Sequence, residues 1–483
     1  MCGVIGYVGK DKANGHLFKG LKSLEYRGYD SCGVAIRDAQ NQITVIKDTL
    51  LIDELKAQVK VEGHIGIGHN RWATHGTVTQ VNAHPHFSKQ GNVFIVHNGI
   101  IENHAKIKKE FFSDHSFLSD TDTEVIVKLI EYFADTEEFL GAIRRTMEVL
   151  EGSYAVVVLN KQEDRLYFMK NKSPLLIGLG EGENFLTSDL IALNPNAKEY
   201  IYLHDFDFGY ISANDYQVMN LLKVVKPPIY ENKFKYEESG KGHFEHFMIK
   251  EIFEQSFVIK SIAKEYLKEG VVTIDSNIIG EIKKAEKICF LGCGTSYHAT
   301  LIGKQIFEDL LGKQCDVFIA SEFSYNLPIL PKKTLFILVS QSGETADLKL
   351  ALSAVNELKH RSLLLTNVMT SSLAHLSDYS LNLYAGPEIA VASTKAYLAQ
   401  IALLYLLAHK VNGTRNDVIK NHLIELSYAI DDVLNDAEHI KKVAIGLFQA
   451  RNAFFIGRGI GYYTALEAAL KLKEVTYIQA EGF

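Results

Sequence analysis

The sequence is poor in the residues that staple, stiffen or anchor a chain. Of its 483 residues only five are cysteine and eight are proline. The thiols, Cys2, Cys32, Cys289, Cys293 and Cys315, are odd in number and thinly spread, which excludes a disulfide framework and points to a reducing, cytoplasmic setting. Cys289 and Cys293 lack the second cysteine pair that would complete a zinc site. No apolar run reaches the length of a membrane span, and the opening Met-Cys-Gly-Val-Ile-Gly has no basic region ahead of an apolar stretch, so neither a membrane partner nor a signal peptide is expected. Positive charge is not in excess either: a net charge of −7 argues against nonspecific nucleic-acid binding, though a small anion held by local groups remains compatible with it. What remains is ordinary globular material, 47% hydrophobic and 23% charged, long enough for two or three domains.

Three regions separate along the chain. Residues 2–215 mix short β-type runs (Val4–Val8, Ile65–Ile67, Val93–Val96, Tyr154–Leu159) with helical patterns (Thr123–Phe133, Phe139–Leu150), which predicts layered sheets. Residues 216–278 read as a linker, with Pro227, Pro228 and the charged stretch Glu231–Lys241, followed by connecting helix. From about residue 279 apolar strands alternate with helices, Ile288–Leu291 and Thr334–Val339 among them, the pattern of a parallel α/β sheet over 279–418. Cys289-Phe-Leu-Gly-Cys-Gly-Thr-Ser-Tyr297 aligns with Phe454-Phe-Ile-Gly-Arg-Gly-Ile-Gly-Tyr462 at an offset of 165, so residues 446–483 read as the start of a second such domain. Only 26 residues follow Gly457, too few to close a parallel sheet, and a C-terminally truncated form of a longer protein is expected.

Cys2 stands directly after the initiator methionine. Removal of Met1 puts a thiol and an α-amine on one residue, and an amine with a pKa of about 8 can serve that thiol as a base near neutrality. Chance would explain a lone cysteine at position 2, but three further segments read as parts of one site. In His69-Asn70-Arg71-Trp72-Ala73-Thr74-His75-Gly76, Arg71 offers a guanidinium fork suited to a carboxylate, or else a surface ion pair. In Val96-His97-Asn98-Gly99, Asn-Gly is a strong hairpin signal, and the same turn aims the Asn98 amide and the Gly99 N–H at a developing oxyanion. Ser119-Asp120-Thr121-Asp122-Thr123-Glu124 precedes a helix, where one Asp serves as a cap and the other can bind an ammonium group. Further on, Gly292-Cys293-Gly294-Thr295-Ser296 sits where strand meets helix and can hold a phosphate. The third glycine of a dinucleotide loop is replaced by Tyr297, and the P-loop lysine is absent. Ser340-Gln341-Ser342-Gly343-Glu344-Thr345 is the stronger anion signal, three hydroxyls and an amide opening a helix. The alternative is a helix capped by Ser340 or Ser342. Glu467, Lys471 and Glu474 share a helix face, which in an unknown helix is a solvated salt-bridge row.

Together with Tyr26-Arg27-Gly28-Tyr29-Asp30-Ser31, the motifs of the first half resemble the class II glutamine amidotransferases, and most of all the isomerising glutamine–fructose-6-phosphate aminotransferase family. Ser340–Thr345 and Val391-Ala392-Ser393-Thr394-Lys395 resemble the sugar-isomerase (SIS) domain of the same family. The resemblance implies an α+β N-terminal-nucleophile hydrolase domain (an αββα sandwich) followed by α/β parallel-sheet sugar-isomerase domains. It implies amination and isomerisation of fructose 6-phosphate to glucosamine 6-phosphate with glutamine as donor, in a cytoplasmic homodimer that needs no metal or organic cofactor. The alternative is a fragment active only as a glutaminase. By the resemblance Cys2 is the nucleophile and Asn98 and Gly99 form the oxyanion hole. Arg71 and Asp122 bind the carboxylate and ammonium of glutamine, Trp72 shields the ammonia path, and Arg27, Thr74 and His75 line the glutamine site. His84 and His86 support it, in a metal-free reading. Thr295, Ser296, Ser340, Gln341, Ser342 and Thr345 contact the phosphosugar, and Val391 and Ser393 line its chain. Glu474 is the isomerising base with Lys471 beside it. Family chains continue past the position of Phe483, into a ring-opening histidine, a Schiff-base lysine and a closing tail.

Overall fold

The structure is a computed structural model that describes residues 2–25, 28, 30–73, 75–193, 196–220, 223–232, 241–242 and 244–483. It divides into two compact units, 1–238 and 239–483.

The first unit is built on period-two alternation. In the strand Gly3–Gly9, Val4 and Val8 point to one side and Ile5 and Tyr7 to the other, and all four are buried. That strand lies inside an eight-stranded antiparallel sheet, between Ile65–Arg71 and Glu183–Thr187, with Gly3 opposite Asn70 and Ile5 opposite Thr187. A seven-stranded antiparallel sheet carries Val93–Ile101 beside Gly152–Asn160. Val4, Ile67, Val96, Val157 and Phe168 form one core between the two sheets. On the outer face of the first sheet, Ile5 and Val34 pack on Leu17 and Leu21 of the helix Ala13–Ser23. On the outer face of the second, Ile95 and Val156 pack on Val125, Leu129 and Ile143 of the helices Glu124–Ala134 and Phe139–Val149. The layers therefore run helix, sheet, sheet, helix, the αββα sandwich expected.

The start of the expected linker is structured. Tyr216–Asn220 and Lys223–Val225 extend the seven-stranded sheet and Ile229–Glu231 closes one edge of the other. Composition missed these strands because all three are short and lie at or next to a sheet edge, where half-exposed polar residues are tolerated. Residues 233–240 of that stretch lie outside the described residues.

In the second unit a five-stranded sheet runs Gln314–Ile319, Lys287–Gly292, Thr334–Ser340, Arg361–Thr366, Tyr379–Asn382, every pair parallel. Both faces are covered, which is why its strands read as unbroken apolar runs. Ile288, Phe290 and Ile337 face Leu403 and Leu407 of the helix Lys395–Val411, while Cys289, Leu291 and Leu338 face Leu348 and Leu352 of Ala346–Glu357. The internal repeat is structural as well. Lys287–Gly292 leads into the helix Gly294–Leu311, and Asn452–Phe455 into Ile460–Thr476. Gly294 and Gly459, equivalent in the repeat, have φ of +52° and +57°. A Cβ on Gly292 would come within 2.8 Å of the Tyr297 nitrogen, and one on Gly457 within 2.7 Å of the Tyr462 nitrogen, so both glycines serve one close approach of strand end to helix.

Candidate active site

Cys2 lies at the head of the strand Gly3–Gly9. The Trp72 N–H, just past the end of the neighbouring strand Ile65–Arg71, donates to its Sγ at 3.2 Å. Burial raises the thiol's pKa above its ordinary value, with the Trp72 N–H opposing that shift. At neutral pH the group is therefore a thiol, and it needs a base to become a nucleophile. Asn98 reaches Cys2 from the facing sheet: its Nδ2 donates to the Cys2 carbonyl at 2.9 Å.

Val96–Gly99 is not a hairpin turn. It is the interior of the strand Val93–Ile101, with Asn98 opposite Ala155 and Gly99 opposite Tyr154. Glycine is needed there for another reason. Gly99 has φ +135°, and a Cβ would stand 2.0 Å from the Ser153 carbonyl oxygen.

Arg71 is buried, and among the described residues it makes no ion pair. Its guanidinium donates to the carbonyls of His75, Gly76 (3.2 Å) and Thr77 (3.2 Å), so it shapes the loop that follows its strand. It lies within electrostatic reach of Cys2, Asp30 and Asp122. The Asp122 carboxylate is buried and accepts the Ile101 N–H at 2.7 Å. Asp120 and Asn82 bond each other, the Asp120 backbone N–H donating to Asn82 Oδ1 at 3.0 Å and Asn82 Nδ2 to the Asp120 carboxylate. Neither aspartate caps the helix Glu124–Ala134; instead Glu124 turns back to accept the N–H groups of Leu118 and Ser119. Trp72 is half-buried, and His75 is exposed with its ring 4.9 Å from that of His104. Arg27 and Thr74 lie outside the described residues.

Behind Asn98 sit four buried histidines, His69, His84, His86 and His97. Burial pushes His69 down to about 3, and His84 and His86 well below the usual imidazole range, so the rings are neutral. His84 Nε2 lies 3.1 Å from the Thr123 hydroxyl, His97 Nδ1 2.9 Å from the same hydroxyl, and His86 Nε2 3.2 Å from that of Thr121. Among the described residues the trio that draws metal-ligand atoms together is a different one. Asp11, His16 and Glu183 have such atoms within 4.8 Å of one another. They lie beyond the far end of Gly3–Gly9 from Cys2, where Tyr7 donates to Glu183 at 2.9 Å.

The second unit gathers its own polar cluster at the carboxyl ends of its strands. Ser340 and Ser342 do not cap the helix Ala346–Glu357, whose N-cap position is Thr345. Their hydroxyls accept the N–H groups of Gly343 (3.0 Å) and Glu344 (3.2 Å), and Ser340 also meets the Thr345 hydroxyl at 3.0 Å. The loop is thus ordered from within, and the Gln341 carbonyl fixes it to the next strand through the Asn367 N–H at 3.1 Å. Ser296 accepts from Gln400 at 3.0 Å. Ser393 donates to Glu388 at 2.7 Å, while Val391 is 63% exposed. Glu251 accepts the N–H groups of Ile389 and Ala390, and burial raises its carboxyl pKa to about 7.

The helix face of Glu467, Lys471 and Glu474 is a solvated row only at its Glu474 end, which is exposed. Glu467 is 5% exposed, accepts the Thr295 hydroxyl at 2.9 Å and lies 2.7 Å from His298 Nδ1. Lys471 donates to Thr295 at 2.7 Å and to Glu474 at 2.5 Å. Sequence reasoning gave no role to His298, Gln400, Glu388 or Glu251, and placed Glu467 only as a member of a salt-bridge row. One signal was available for His298, which follows Thr295 by three positions and so shares its helix face.

A glutamine amidotransferase domain model matches residues 69–195, and a SIS domain model matches residues 281–410. The Staphylococcus aureus protein named glutamine–fructose-6-phosphate aminotransferase (isomerizing) is 45% identical over 498 residues, covering 100% of this chain and 82% of its own. Its namesake from Listeria innocua is 44% identical with the same coverage. A solved C-terminal domain of glucosamine-fructose-6-phosphate aminotransferase from Francisella tularensis is 31% identical, covers 51% of this chain and 71% of its own, and gives a TM-score of 0.47. With a 45% identity that runs the whole length of the chain, through both the Cys2 unit and the parallel-sheet unit, the chain belongs to the glutamine–fructose-6-phosphate aminotransferase (isomerising) family.

Proposed function

We propose that the chain hydrolyses glutamine at Cys2 and delivers the ammonia to fructose 6-phosphate, giving glucosamine 6-phosphate and glutamate. The observation that carries this most is the meeting at one strand head of the half-buried Cys2 thiol, the Asn98 amide, Arg71 and Asp122.

With Met1 removed, the α-amine of Cys2 takes the thiol proton as sulfur attacks the amide carbon of glutamine. The oxygen that gains charge is met by the Asn98 N–H and the Gly99 backbone N–H. Collapse expels ammonia with the proton returned by the amine, and water hydrolyses the thioester to glutamate. Arg71 and Asp122 hold the carboxylate and ammonium of the substrate, and Trp72, with Arg27, Thr74 and His75, encloses it. In the second unit Thr295, Ser296, Ser340, Gln341, Ser342 and Thr345 bind the phosphosugar, Val391 and Ser393 line its chain, and Glu474 moves the proton between C1 and C2 with Lys471 beside it. The glutaminase domain covers 2–215 and the first sugar-isomerase domain 279–418, in a cytoplasmic homodimer.

The test is one incubation with glutamine and fructose 6-phosphate, with glutamate and glucosamine 6-phosphate quantified separately. Both products together are expected. Glutamate alone restricts this chain to a glutaminase, and neither product from protein lacking Met1 refutes the Cys2 mechanism.

A further inference from the structure

An asparagine amide can turn about its last bond and present either oxygen or NH2 to the same place, with almost no change of shape. At Asn98 the choice decides whether a donor or an acceptor faces Cys2, and His69 bears on that choice. His69 Nε2 lies 3.0 Å from the His97 carbonyl oxygen, which can only accept, so the ring carries its proton on Nε2. The same N–H lies 3.0 Å from the Asn98 amide, so the atom facing it is the acceptor Oδ1. The other end, Nδ2, then faces the Cys2 carbonyl at 2.9 Å, which again can only accept. One Nδ2–H is used there, and the second remains for the substrate oxygen. His84 Nδ1, 3.1 Å from His69 Nε2, fits the same tautomer as an acceptor, with its own Nε2–H turned to Thr123.

We propose that His69 is a positioning residue for glutamine hydrolysis, its neutral Nε2–H form locking the Asn98 amide with the NH2 end toward Cys2. The proposal rests on the glutaminase reading above. His69 stands on Ile65–Arg71 of one sheet and Asn98 on Val93–Ile101 of the other, so the bond also pins the two halves of the site together. His69 is 0% exposed, and its Nδ1 is buried without a hydrogen-bond partner among the described residues. A bare lone pair is tolerable there and a bare N–H is not, which again puts the proton on Nε2.

The full chain, with Met1 removal verified by mass, is assayed for glutamate release. His69→Asn is too short to reach Asn98, whereas His69→Gln carries an N–H to the position of Nε2. For His69→Asn we expect kcat to fall about 10²-fold with KM for glutamine changed by less than about threefold, and His69→Gln to recover kcat to within about tenfold of wild type. In an Asn98→Ala background His69→Asn should cost nothing further, because the group it positions is gone. Equal losses in both backgrounds, or a kcat for His69→Asn within about threefold of wild type, overturns the proposal. If thermal unfolding shows His69→Asn to be misfolded, His69→Gln decides alone, and a fall beyond about tenfold in a folded His69→Gln protein overturns it. A wild-type protein that releases no glutamate refutes the underlying glutaminase reading instead.

Discussion

Replacing Gly99 by alanine tests whether the oxyanion hole depends on backbone geometry as well as on a side chain. At φ +135° the backbone is in a region that residues with a Cβ avoid, which costs about 1–3 kcal/mol. The new methyl would also stand 2.0 Å from the Ser153 carbonyl oxygen, about 1 Å closer than a Cβ tolerates, and that atom belongs to the paired strand rather than to a side chain that could turn away. Relief requires the strands Val93–Ile101 and Gly152–Asn160 to separate locally, a further overpacking cost of about 1–3 kcal/mol. A total near 4 kcal/mol lowers the Tm of a unit of this size by about 8–16 °C. A displacement of about 1 Å at the reacting centre lowers kcat about 10²-fold. The control is Gly91→Ala, where φ is +68° but nothing lies within 4 Å of the new Cβ. It should cost about 1 kcal/mol and leave kcat unchanged. Glutamate release and thermal melts on both variants complete the experiment. A Gly99→Ala protein with near-wild-type kcat would refute the role of this backbone.

Two further outcomes are expected. His69, His84 and His86 are buried and neutral, so their folded pKa values lie below the unfolded value near 6.5, and the stability this gives is lost as pH falls from there toward the folded value, about 3 for His69. At pH 5 each ring costs up to about 2 kcal/mol, and together they approach the whole stability of a domain, so the urea midpoint of the first unit should drop steeply between pH 7 and 5, and equal midpoints would refute the neutral cluster. Glu467→Gln removes the buried charge that Thr295, His298 and Lys471 share; we expect amino-sugar formation to fall at least about tenfold with glutamate release unchanged, and parallel loss of both products would mean general damage.

Much of this was legible in the sequence because it is local. Alternation placed Val4, Ile5, Tyr7 and Val8 on two faces of one strand, and the loop chemistry of Ser340–Thr345 lies within six residues. Asn98-Gly99 was misleading because the same dipeptide satisfies two demands. A hairpin needs Gly for a turn, and here a strand needs it because Ser153, more than fifty positions away, presses on it. Arg71 was recognisable as a fork, but the loop carbonyls that occupy it were not, since side chain–backbone bonds leave no pattern. Glu467 and His298 are 169 positions apart, and only the packing of two helices brings them within 2.7 Å.

The register of the first strand sets the order of events during synthesis. Gly3–Gly9 gains its partner Ile65–Arg71 early, but its other neighbour, Glu183–Thr187, is translated some 180 residues later. At about 5–20 residues per second that is a delay of roughly 10–35 s. Until then the strand that follows Cys2 has an open edge and the αββα core cannot close over it. The first-made end of the chain is thus among the last parts of its unit to be enclosed, since the sheet around Gly3–Gly9 is complete only after Thr187 has been made.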